Sequence, residues 1–469
     1  MKLIPFIFSF LMSCSALWAQ QLTSSPAYSM GRDKDCFVLG QIDSLYYVYR
    51  EGPGKEHGIH SFRMNLEEEW EATISYPRAG LLFMESLQQK DRFQLIYAMH
   101  FDGNTEIRMK EIGAEGQELA DEALLLFKYF VPYRDLRWEL SQDKSELLVF
   151  HKVNNREIEW GCYNLADRQL RWEYSLKDFE IKNFKRLEHI VICNSGQALL
   201  LFEFHNRLRR EDHHFLLFSI SAQGERKKHK IDFAQAKTDE YLVDYDELNQ
   251  QLLIGGLYYQ SGNEVEGLFY LRYDMQEEAL LKFHPFPDTL IRSLTGQKRK
   301  NLRRVEYLRL RELIPRRDGG ILLVAERYRK YNYNNHRTYY QDHLPAQQTD
   351  YLYENILLTS VHPSGQLHWQ EVLFKQQKSE NDEGRYSSFF LMKTARHLRF
   401  IYNDEIRYLG RVYEYTVDAS GQAERQRLFG EKRSGILPDF QRAKQVSAKT
   451  TLAISERNNK FRLVRLSYD

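Results

Sequence analysis

The sequence predicts an all-β fold, a β-propeller of eight four-stranded blades. Polar turns recur at a near-constant interval, strand-like runs precede each turn, and the chain ends on a hairpin. Seven blades is the alternative, because the first inner strand, near Cys36, is short. A β-sandwich array is a third interpretation, although it would need shorter spacing between turns.

The polar turns define the repeat. Of the six steps between successive turn residues, five measure 50 to 56 residues and one measures 88. A period near 50 with about four strands per unit is typical of a propeller blade. The turn residues are Leu66, Gly116, Arg168, Gly224, Glu277, Gly365 and Gly421.

Short apolar runs bounded by polar residues indicate antiparallel strands between the turns. Before Gly224, for example, come "ALLLFEFH" (198–205) and "HFLLFSI" (214–220). The basic run "ERKKHKIDF" (225–233) then falls on a fourth, outermost strand, where lysines protect a sheet edge. Tryptophans also recur at one place in the unit, which favours packing between blades. They are Trp70, Trp172 and Trp369.

The two ends of the chain are expected to close the ring. The segment "TTLAISERNNKFRLVRLSYD" (450–469) predicts two strands around an Asn458-Asn459 turn. A blade that lacks its outer strand can be completed by the mature N-terminus, around residues 21–25. Such closure removes an exposed sheet edge.

Residues 1–19 predict a signal peptide, and residues 20–469 a single propeller domain. Lys2 precedes an apolar stretch from Leu3 to Leu17, and Ala19 supplies a small residue for cleavage. No later run approaches the roughly 18 apolar residues of a membrane span. We therefore expect an exported protein that is periplasmic, outer-membrane-associated or extracellular. Lipidation at Cys14, within "LMSC", is the alternative to cleavage near Ala19.

Composition excludes some classes of function. The 469 residues include 66 Lys plus Arg and 65 Asp plus Glu, a balance that argues against nucleic-acid binding. Cys36, Cys162 and Cys193 form no C-x-x-C pattern, so the usual zinc and redox motifs are absent. We interpret them as buried free thiols, although one pair could form a disulfide.

The 88-residue step contains two inserted loops, at 284–304 and 327–351. In a propeller these two classes of connection emerge on one face, together with 375–388 and 205–214. Long irregular segments on a rigid scaffold often carry function.

Tyrosine and asparagine in these segments are typical of binding loops, since they offer flat apolar area with a polar edge. Nearby basic residues suggest an acidic or polar ligand, whereas a lid that packs on its own scaffold is the alternative. The ligand-binding candidates are Tyr328, Tyr331, Tyr333, Asn334, Tyr339, Tyr340, Arg303, Arg304, Asn381, Asp382, Arg385 and Tyr386.

Metal and catalytic motifs are not found. A calcium loop of the EF-hand type starting at Ser379 would place Phe390 where a bidentate carboxylate is required. A polar turn whose Asn381 and Asp382 bond their own backbone fits better. The sequence contains no G-x-S-x-G, no H-E-x-x-H and no phosphate-binding glycine loop. We expect no catalytic residues, no metal and no cofactor.

The later part of the chain resembles a group of uncharacterised secreted proteins from Bacteroidota bacteria. The residues that carry this resemblance are "DGGILLVAERY" (318–328), "LHWQEVLFKQQKSENDEGRYSSF" (367–389) and "RFIYND" (399–404). The resemblance covers about a quarter of the chain and implies an envelope or secreted setting and a propeller-like fold. It implies no activity.

These observations predict a non-catalytic binding or scaffolding propeller of the cell envelope, with a glycan, peptide or protein held on the loop-rich face. One alternative is a propeller hydrolase or lyase that acts on glycans, because fold alone does not decide activity. Another is a structural subunit of an envelope complex.

Overall fold

A computed structural model provides the structure. It describes residues 21–177, 184–207, 210, 212–233, 235–260, 264–274, 278–296, 305–334, 347–406, 411–429 and 436–468. The predicted signal peptide therefore lies outside the described residues. Within them, no helix has both the length and the apolar character needed to cross a bilayer.

Two N-terminal strands and four sheets occupy the first half of the chain. The N-terminal strands are β1 (Gln21–Ser24) and β2 (Tyr28–Ser29). Blade 1 consists of β3 (Asp35–Ile42), β4 (Leu45–Glu51), β5 (Glu56–Arg63) and β6 (Glu68–Ser75). Blade 2 consists of β7 (Leu82–Gln88), β8 (Arg92–Phe101), β9 (Asn104–Gly113) and β10 (Glu118–Phe127). Blade 3 consists of β11 (Leu136–Leu140), β12 (Glu146–Asn154), β13 (Glu157–Asn164) and β14 (Gln169–Leu176). Blade 4 consists of β15 (Leu187–Ile192), β16 (Ala198–Phe204), β17 (His214–Ile220) and β18 (Arg226–Asp232).

The second half repeats the pattern, with additions in blade 6. Blade 5 consists of β19 (Lys237–Asp246), β20 (Gln251–Tyr259), β21 (Gly267–Asp274) and β22 (Ala279–Pro285), followed by the helix α1 (Asp288–Thr295). Blade 6 consists of β23 (Leu308–Pro315), β24 (Ile321–Asn334), β25 (Gln347–Val361), β26 (Leu367–Leu373) and the short β27 (Gln377–Glu380). Blade 7 consists of β28 (Phe390–Lys393), β29 (Leu398–Glu405), β30 (Arg411–Val417) and β31 (Ala423–Phe429). Blade 8 contains β32 (Lys444–Ser447), β33 (Thr450–Arg457) and β34 (Lys460–Ser467). Single 3₁₀ turns lie at Tyr133–Asp135, Phe184–Arg186 and Phe440–Arg442.

The fold is an eight-bladed β-propeller, as the sequence predicts. Each blade is an antiparallel sheet in chain order from the innermost strand outwards. The N-terminal strand completes blade 8, because β1 pairs with β34 from Gln21↔Ser467 to Ser24↔Val464. The strand β2 adds two further pairs to β34. Closure by the two chain ends is thereby confirmed, and the seven-bladed alternative is wrong.

The core lies between the blades. Eight hydrophobic clusters each join two neighbouring blades, and one of them joins blade 8 to blade 1. Both faces of every sheet are therefore buried, which explains the continuous apolar runs in the middle strands. Cys36, Cys162 and Cys193 are buried free thiols in this core.

The predicted repeat turns are contacts between blades. All of those in the described chain adopt positive φ, from 56° at Arg168 to 87° at Gly421. Each packs on the outer part of the preceding blade. A Cβ on Gly421 would approach Trp369 to 2.5 Å, and the Arg168 guanidinium contacts Glu111 at 2.8 Å. Glu277 lies outside the described residues.

The recurring tryptophans have the packing role that their spacing indicates. Trp369 of blade 6 donates its indole N–H to the Ala419 carbonyl of blade 7 at 3.0 Å. Trp172 of blade 3 donates to the Gly196 carbonyl of blade 4 at 3.1 Å. Both side chains thus anchor one blade to the next.

One inserted loop of the sequence prediction has a different structure. The described part of 327–351 is strand throughout, since β24 continues to Asn334 and β25 begins at Gln347. Tyrosine and threonine have high strand propensity, and cross-strand pairs such as Tyr328↔Tyr353 stabilise a long hairpin. The assignment of the whole segment as a loop is therefore wrong, and residues 335–346 lie outside the described residues.

The other insertion, 284–304, contains a short helix that the sequence analysis missed. Ile291 and Leu294 of α1 are buried between blades 5 and 6, and Gly296 ends the helix with φ of 69°. The helix thus fills a gap beside the base of the β24–β25 hairpin.

Two glycines with the same backbone conformation provide a test of packing between blades. Gly103 has φ of 80° and open space where a Cβ would lie, whereas a Cβ on Gly116, at φ of 79°, would approach Trp70 to 2.8 Å. We expect Gly103→Ala to lower the free energy of unfolding by about 1 kcal/mol, from backbone strain alone. Gly116→Ala should cost roughly 1–3 kcal/mol more, because it overpacks the contact. Thermal and urea unfolding measure both, and equal losses would contradict the interblade role of Gly116.

Candidate functional site

Antiparallel blades bring the long connections to one face of the ring. The connection between the second and third strands and the connection that leaves the outermost strand emerge at the same end of each sheet. We call this end the loop face. It carries α1, the distal end of the β24–β25 hairpin, and residues 374–389 after β26. The predicted gathering of these segments on one side is therefore observed for the described residues.

The hairpin extends beyond the body of blade 6. Tyr331 and Tyr333 point to the same side of β24, with ring centroids 6.4 Å apart and planes inclined by 31°. Tyr333 is 47% exposed. Tyr331 receives a hydrogen bond from Arg329 Nη1 at 3.1 Å. This pair forms a small aromatic surface held in place by the hairpin.

Tyr328 lies deeper, at the base of the hairpin. Its ring packs against Tyr353 at 4.8 Å, and the Arg311 guanidinium lies 5.9 Å from its centroid. Asn334 is the last residue of β24, where its backbone pairs with Gln347. The candidates Arg303, Arg304, Tyr339 and Tyr340 lie outside the described residues.

The segment around Asn381 lies beside the hairpin. The Asn381 N–H donates to the Thr349 carbonyl at 3.0 Å, and Asn381 Oδ1 accepts the Thr349 N–H at 2.9 Å. Asp382 Oδ1 accepts the Gly384 N–H at 2.9 Å, as in the polar turn that the sequence favours. These contacts extend the sheet through β27, which pairs with β25.

Arg385 and Tyr386 connect this segment to blade 8. Arg385 contacts Asp439 and Glu456, each at 2.9 Å, and Tyr386 donates its hydroxyl proton to the Glu456 carbonyl at 2.9 Å. Their polar groups are thus engaged within the protein. The structure brings them near the hairpin, but a role in ligand binding stays a prediction.

A buried ion network supports the hairpin from below. Lys375 Nζ lies 2.5 Å from Glu326 Oε1, and both side chains are fully buried. Glu326 Oε2 accepts hydrogen bonds from Arg311 Nε at 2.8 Å and Ser388 Oγ at 2.7 Å. Burial lowers the pKa of the Lys375 ammonium, and Glu326 opposes that shift. The network joins blade 6 to the start of blade 7 beneath the aromatic surface. Sequence reasoning missed it.

The hairpin also has a free backbone edge. The innermost strand β23 pairs with β24 only as far as Leu308↔Arg327, and the Tyr328 N–H still donates to the Tyr307 carbonyl at 2.8 Å. Within the described part of the chain, β25 is the one strand that pairs with residues 329–334 of β24. Because backbone groups alternate in direction along a strand, the Lys330 and Asn332 N–H groups point to this open side.

The central channel of the ring contains a second group of candidate functional residues, which are carboxyl groups on the innermost strands. The innermost strands of successive blades approach one another, as β11, β15 and β19 do. Glu139 on β11 is exposed, yet desolvation by the surrounding protein raises the pKa of Glu139 to about 7. Burial likewise raises the pKa of Asp244 on β19 to about 6. Carboxyl groups with raised pKa in a cleft are candidates for proton transfer or for cation binding.

The opposite side of the channel is basic and internally paired. Lys444 on β32 donates to the Leu39 carbonyl at 2.8 Å, and burial lowers the pKa of Lys444 to about 8. Lys393 on β28 contacts Glu312 of β23 at 3.1 Å. These two carboxyl groups with raised pKa thus lie on blades 3 and 5, whereas Lys393 and Lys444 lie on blades 7 and 8.

A third polar cluster lies in blade 1. His60, Glu68 and Glu71 have ligand atoms close enough together for one metal ion. However, Arg50 Nη1 lies 2.6 Å from His60 Nε2 and 3.3 Å from Glu71 Oε1. A guanidinium already supplies the positive charge, so a metal ion does not fit. The adjoining cleft of about 530 Å³ is shallow and polar, and includes Lys55 in its lining.

Comparisons with known proteins identify no family. No protein-family model matches the chain, and no curated protein matches it in sequence. The chain is similar to a prolyl endopeptidase at 8% identity and a TM-score of 0.41, and this match covers 94% of the chain but 55% of that protein. It is also similar to the β-propeller domain of the Trilobed protease from Pyrococcus furiosus, at 10% identity and a TM-score of 0.37, covering 86% and 100%. An oligogalacturonate lyase in complex with manganese matches at 10% identity and a TM-score of 0.39, covering 96% and 98%. Function must therefore be argued from the residues of this chain.

The buried pair beneath the hairpin yields a first prediction for this site. Lys375→Met leaves the Glu326 carboxylate buried without its ammonium partner, so the free energy of unfolding should fall by about 3 kcal/mol. Lys378→Met is the matched control, because Lys378 pairs with Asp350 while its side chain is 46% exposed. That change should cost less than about 1 kcal/mol. Adding Glu326→Gln to Lys375→Met should recover part of the loss in urea unfolding. No recovery would contradict the proposed coupling.

Glu139 yields a prediction about pH. Its folded-state pKa, about 7, lies above the ordinary value of a glutamate, so the folded protein retains a proton that the unfolded chain releases. This contribution to stability is complete at low pH and is lost as pH rises through 7. Glu139→Gln should therefore raise the melting temperature at pH 8 relative to the unmodified protein, and change it less at pH 5. Glu173→Gln, on the outermost strand of the same blade, is the control. An equal difference at both pH values would refute the prediction.

Proposed function

We propose that this protein is an exported binding propeller that holds an extended polypeptide on its loop face, along the free edge of β24. The observation that carries this proposal is the backbone edge of residues 329–334, which has no second strand neighbour among the described residues and lies beside the pair Tyr331 and Tyr333. Addition of a strand to an open sheet edge is a common mode of peptide recognition.

The backbone of the hairpin supports polypeptide as the ligand class. Lys330 and Asn332 direct N–H and C=O groups towards the open side, and a partner strand can satisfy both kinds of group. Hydrogen bonds of this kind give affinity with little sequence selectivity. Selectivity then comes from side chains next to the edge.

Tyr331 and Tyr333 supply such side chains. They lie on one side of the strand, two residues apart, and would contact alternate side chains of an added strand. Arg329 is fixed beside them by an ion pair with Glu354. A tyrosine surface offers contact area at low cost in conformational entropy.

A glycan ligand receives less support from this geometry. The two rings are inclined by 31°, and only Tyr333 is strongly exposed. A sugar ring needs a flat exposed aromatic face, and it would not use the backbone edge.

The channel carboxylates favour one second candidate, a propeller hydrolase or lyase. Glu139 and Asp244 have raised pKa values, which general acid catalysis at neutral pH requires. We rank this function below binding, because no described nucleophile or metal cluster accompanies them in the channel.

The setting in the cell envelope forms part of the proposal. It rests on the apolar segment at residues 3–17 and on the resemblance to secreted proteins of Bacteroidota. Mass spectrometry of the mature N-terminus would distinguish cleavage near Ala19 from lipidation at Cys14.

The backbone edge can be tested by removing a single N–H group. Asn332→Pro deletes the outward-facing N–H without breaking a bond to β25, since proline is tolerated on an edge strand. Asn332→Ala keeps that N–H and serves as the control. On an array of extended peptides, Asn332→Pro should weaken binding by about tenfold, whereas Asn332→Ala should change it little.

A second pair of variants separates the ligand classes. Tyr333→Ala should weaken peptide binding, and Phe101→Ala, which removes an exposed ring in blade 2, should not. Binding on a glycan array that survives Asn332→Pro and fails with Tyr333→Ala would overturn the polypeptide proposal in favour of a sugar. Equal binding by all variants would remove the hairpin as the site.

A further inference from the structure

Three consecutive innermost strands each present a carboxylate to the channel. These residues are Glu139 on β11, Glu188 on β15 and Asp239 on β19, and all three contact solvent. Among the described residues, none of the three forms an ion pair or receives a hydrogen bond from a side chain. In contrast, Lys393 on β28 and Lys444 on β32 both contact protein groups.

Bulges in the innermost strands expose two of these carboxylates. In β15 the pairing skips from Leu187 to His189, so Glu188 has no partner on β16. In β19 it skips from Thr238 to Tyr241, so Asp239 leaves the regular ladder. A β-bulge redirects a side chain, and such bulges are frequent next to binding sites.

Charged neighbours lie close to these groups without pairing with them. Lys152 and Arg186 act on Glu188, while burial and the charge of Glu203 raise the pKa of Glu188. Burial also raises the pKa of Asp239, and the charge of Arg309 opposes that shift. The acidic wall thus has incomplete charge compensation within the described protein.

Glu203 completes this wall at the end of β16. Its Oε1 accepts hydrogen bonds from His213 Nε2, at 3.0 Å, and from the Thr238 hydroxyl. His213 Nδ1 lies 2.7 Å from the Ala236 carbonyl and must donate to it. These contacts fix Glu203 through one oxygen, and no described side chain donates to Oε2, which is left for another donor.

Tyr241 provides an independent observation that points to a ligand. Its side chain is 8% exposed, yet its hydroxyl oxygen has no hydrogen-bond partner among the described residues. The ring packs on His189 at 4.9 Å, and the charges of Glu203 and Glu188 add to the effect of burial in raising the pKa of Tyr241. A buried hydroxyl that lacks a partner costs free energy, which a bound ligand can restore.

The spacing of the carboxylates argues against a metal ion. The His60 group in blade 1 is the one set of three ligand atoms close enough for an ion within the described chain. The channel carboxylates are spread over three blades, which suits a longer cation with several N–H donors. We propose that the channel mouth at blades 3 to 5 binds an organic ammonium ion, held by Glu188, Asp239 and Glu203 and hydrogen-bonded to Tyr241.

Calorimetry with spermidine and cadaverine tests this site on the whole protein. Spermidine should bind with one site per chain, and Glu188→Gln and Asp239→Asn should each weaken it by at least about fivefold. Tyr241→Phe should weaken it by about threefold without lowering the melting temperature, because the hydroxyl has no protein partner to lose. Asp232→Asn, at the outer edge of blade 4, is the control and should bind normally.

Three results would overturn the proposal. One is equal spermidine affinity in Glu188→Gln and Asp232→Asn, which would indicate non-specific surface charge. Another is saturable Mg²⁺ or Ca²⁺ binding that competes with spermidine and is lost in the same variants. The third is an unchanged affinity in Tyr241→Phe together with Asp239→Asn. Because Asn332→Pro leaves this region intact, failure of the peptide proposal would not affect the outcome.

Discussion

Closure of the ring is the constraint on which the rest of the structure depends. Each blade is apolar on both faces and cannot bury them alone, so every hydrophobic cluster is shared between neighbours. A single open junction would expose two sheet faces and an unpaired strand edge at once. The junction at blade 8 is held by β1, which joins residues more than 400 positions apart in sequence. The rigidity of the loop face follows from this long-range pairing.

The repeat could be predicted from the sequence because the turn residue of each unit also forms the contact between blades. Gly116 and Gly421 recur since the turn needs positive φ and a neighbour's tryptophan occupies the space of a Cβ. Leu66 and Arg168 adopt the same backbone conformation without being glycine, and each uses its side chain to reach the preceding blade. The spacing of the turns, their residue types and the tryptophans thus all reflect one feature, the packing of each turn on the preceding blade.

The candidate site was predictable only in part. Its face followed from strand order alone, and the tyrosines near residue 331 marked the hairpin, although their strand propensity was underestimated. The ion pair of Lys375 and Glu326 leaves no local signature, since its partners lie 49 residues apart and meet only when the sheet of blade 6 forms. The channel carboxylates could not be predicted either. The exposure of Glu188 and Asp239 depends on β-bulges, and no residue type in the sequence indicates these bulges. Arg385 is the opposite case. The sequence suggests that it belongs to a binding loop, but in the structure its charge holds blade 8.

The two proposed sites share one geometry. The free edge of β24 lies on the side of β23, the innermost strand, so it faces the axis of the ring rather than its rim. Arg309, the second residue of β23, lies near Asp239 in the acidic wall and therefore connects the base of the hairpin with the channel mouth. A polypeptide paired with β24 would run beside that mouth, with the tyrosines on one side and Asp239 of the neighbouring blade 5 close to Arg309 at the base of the hairpin. The proposed peptide-binding edge and the proposed acidic site would thus lie within reach of one ligand, an arrangement that suits a segment containing a basic residue.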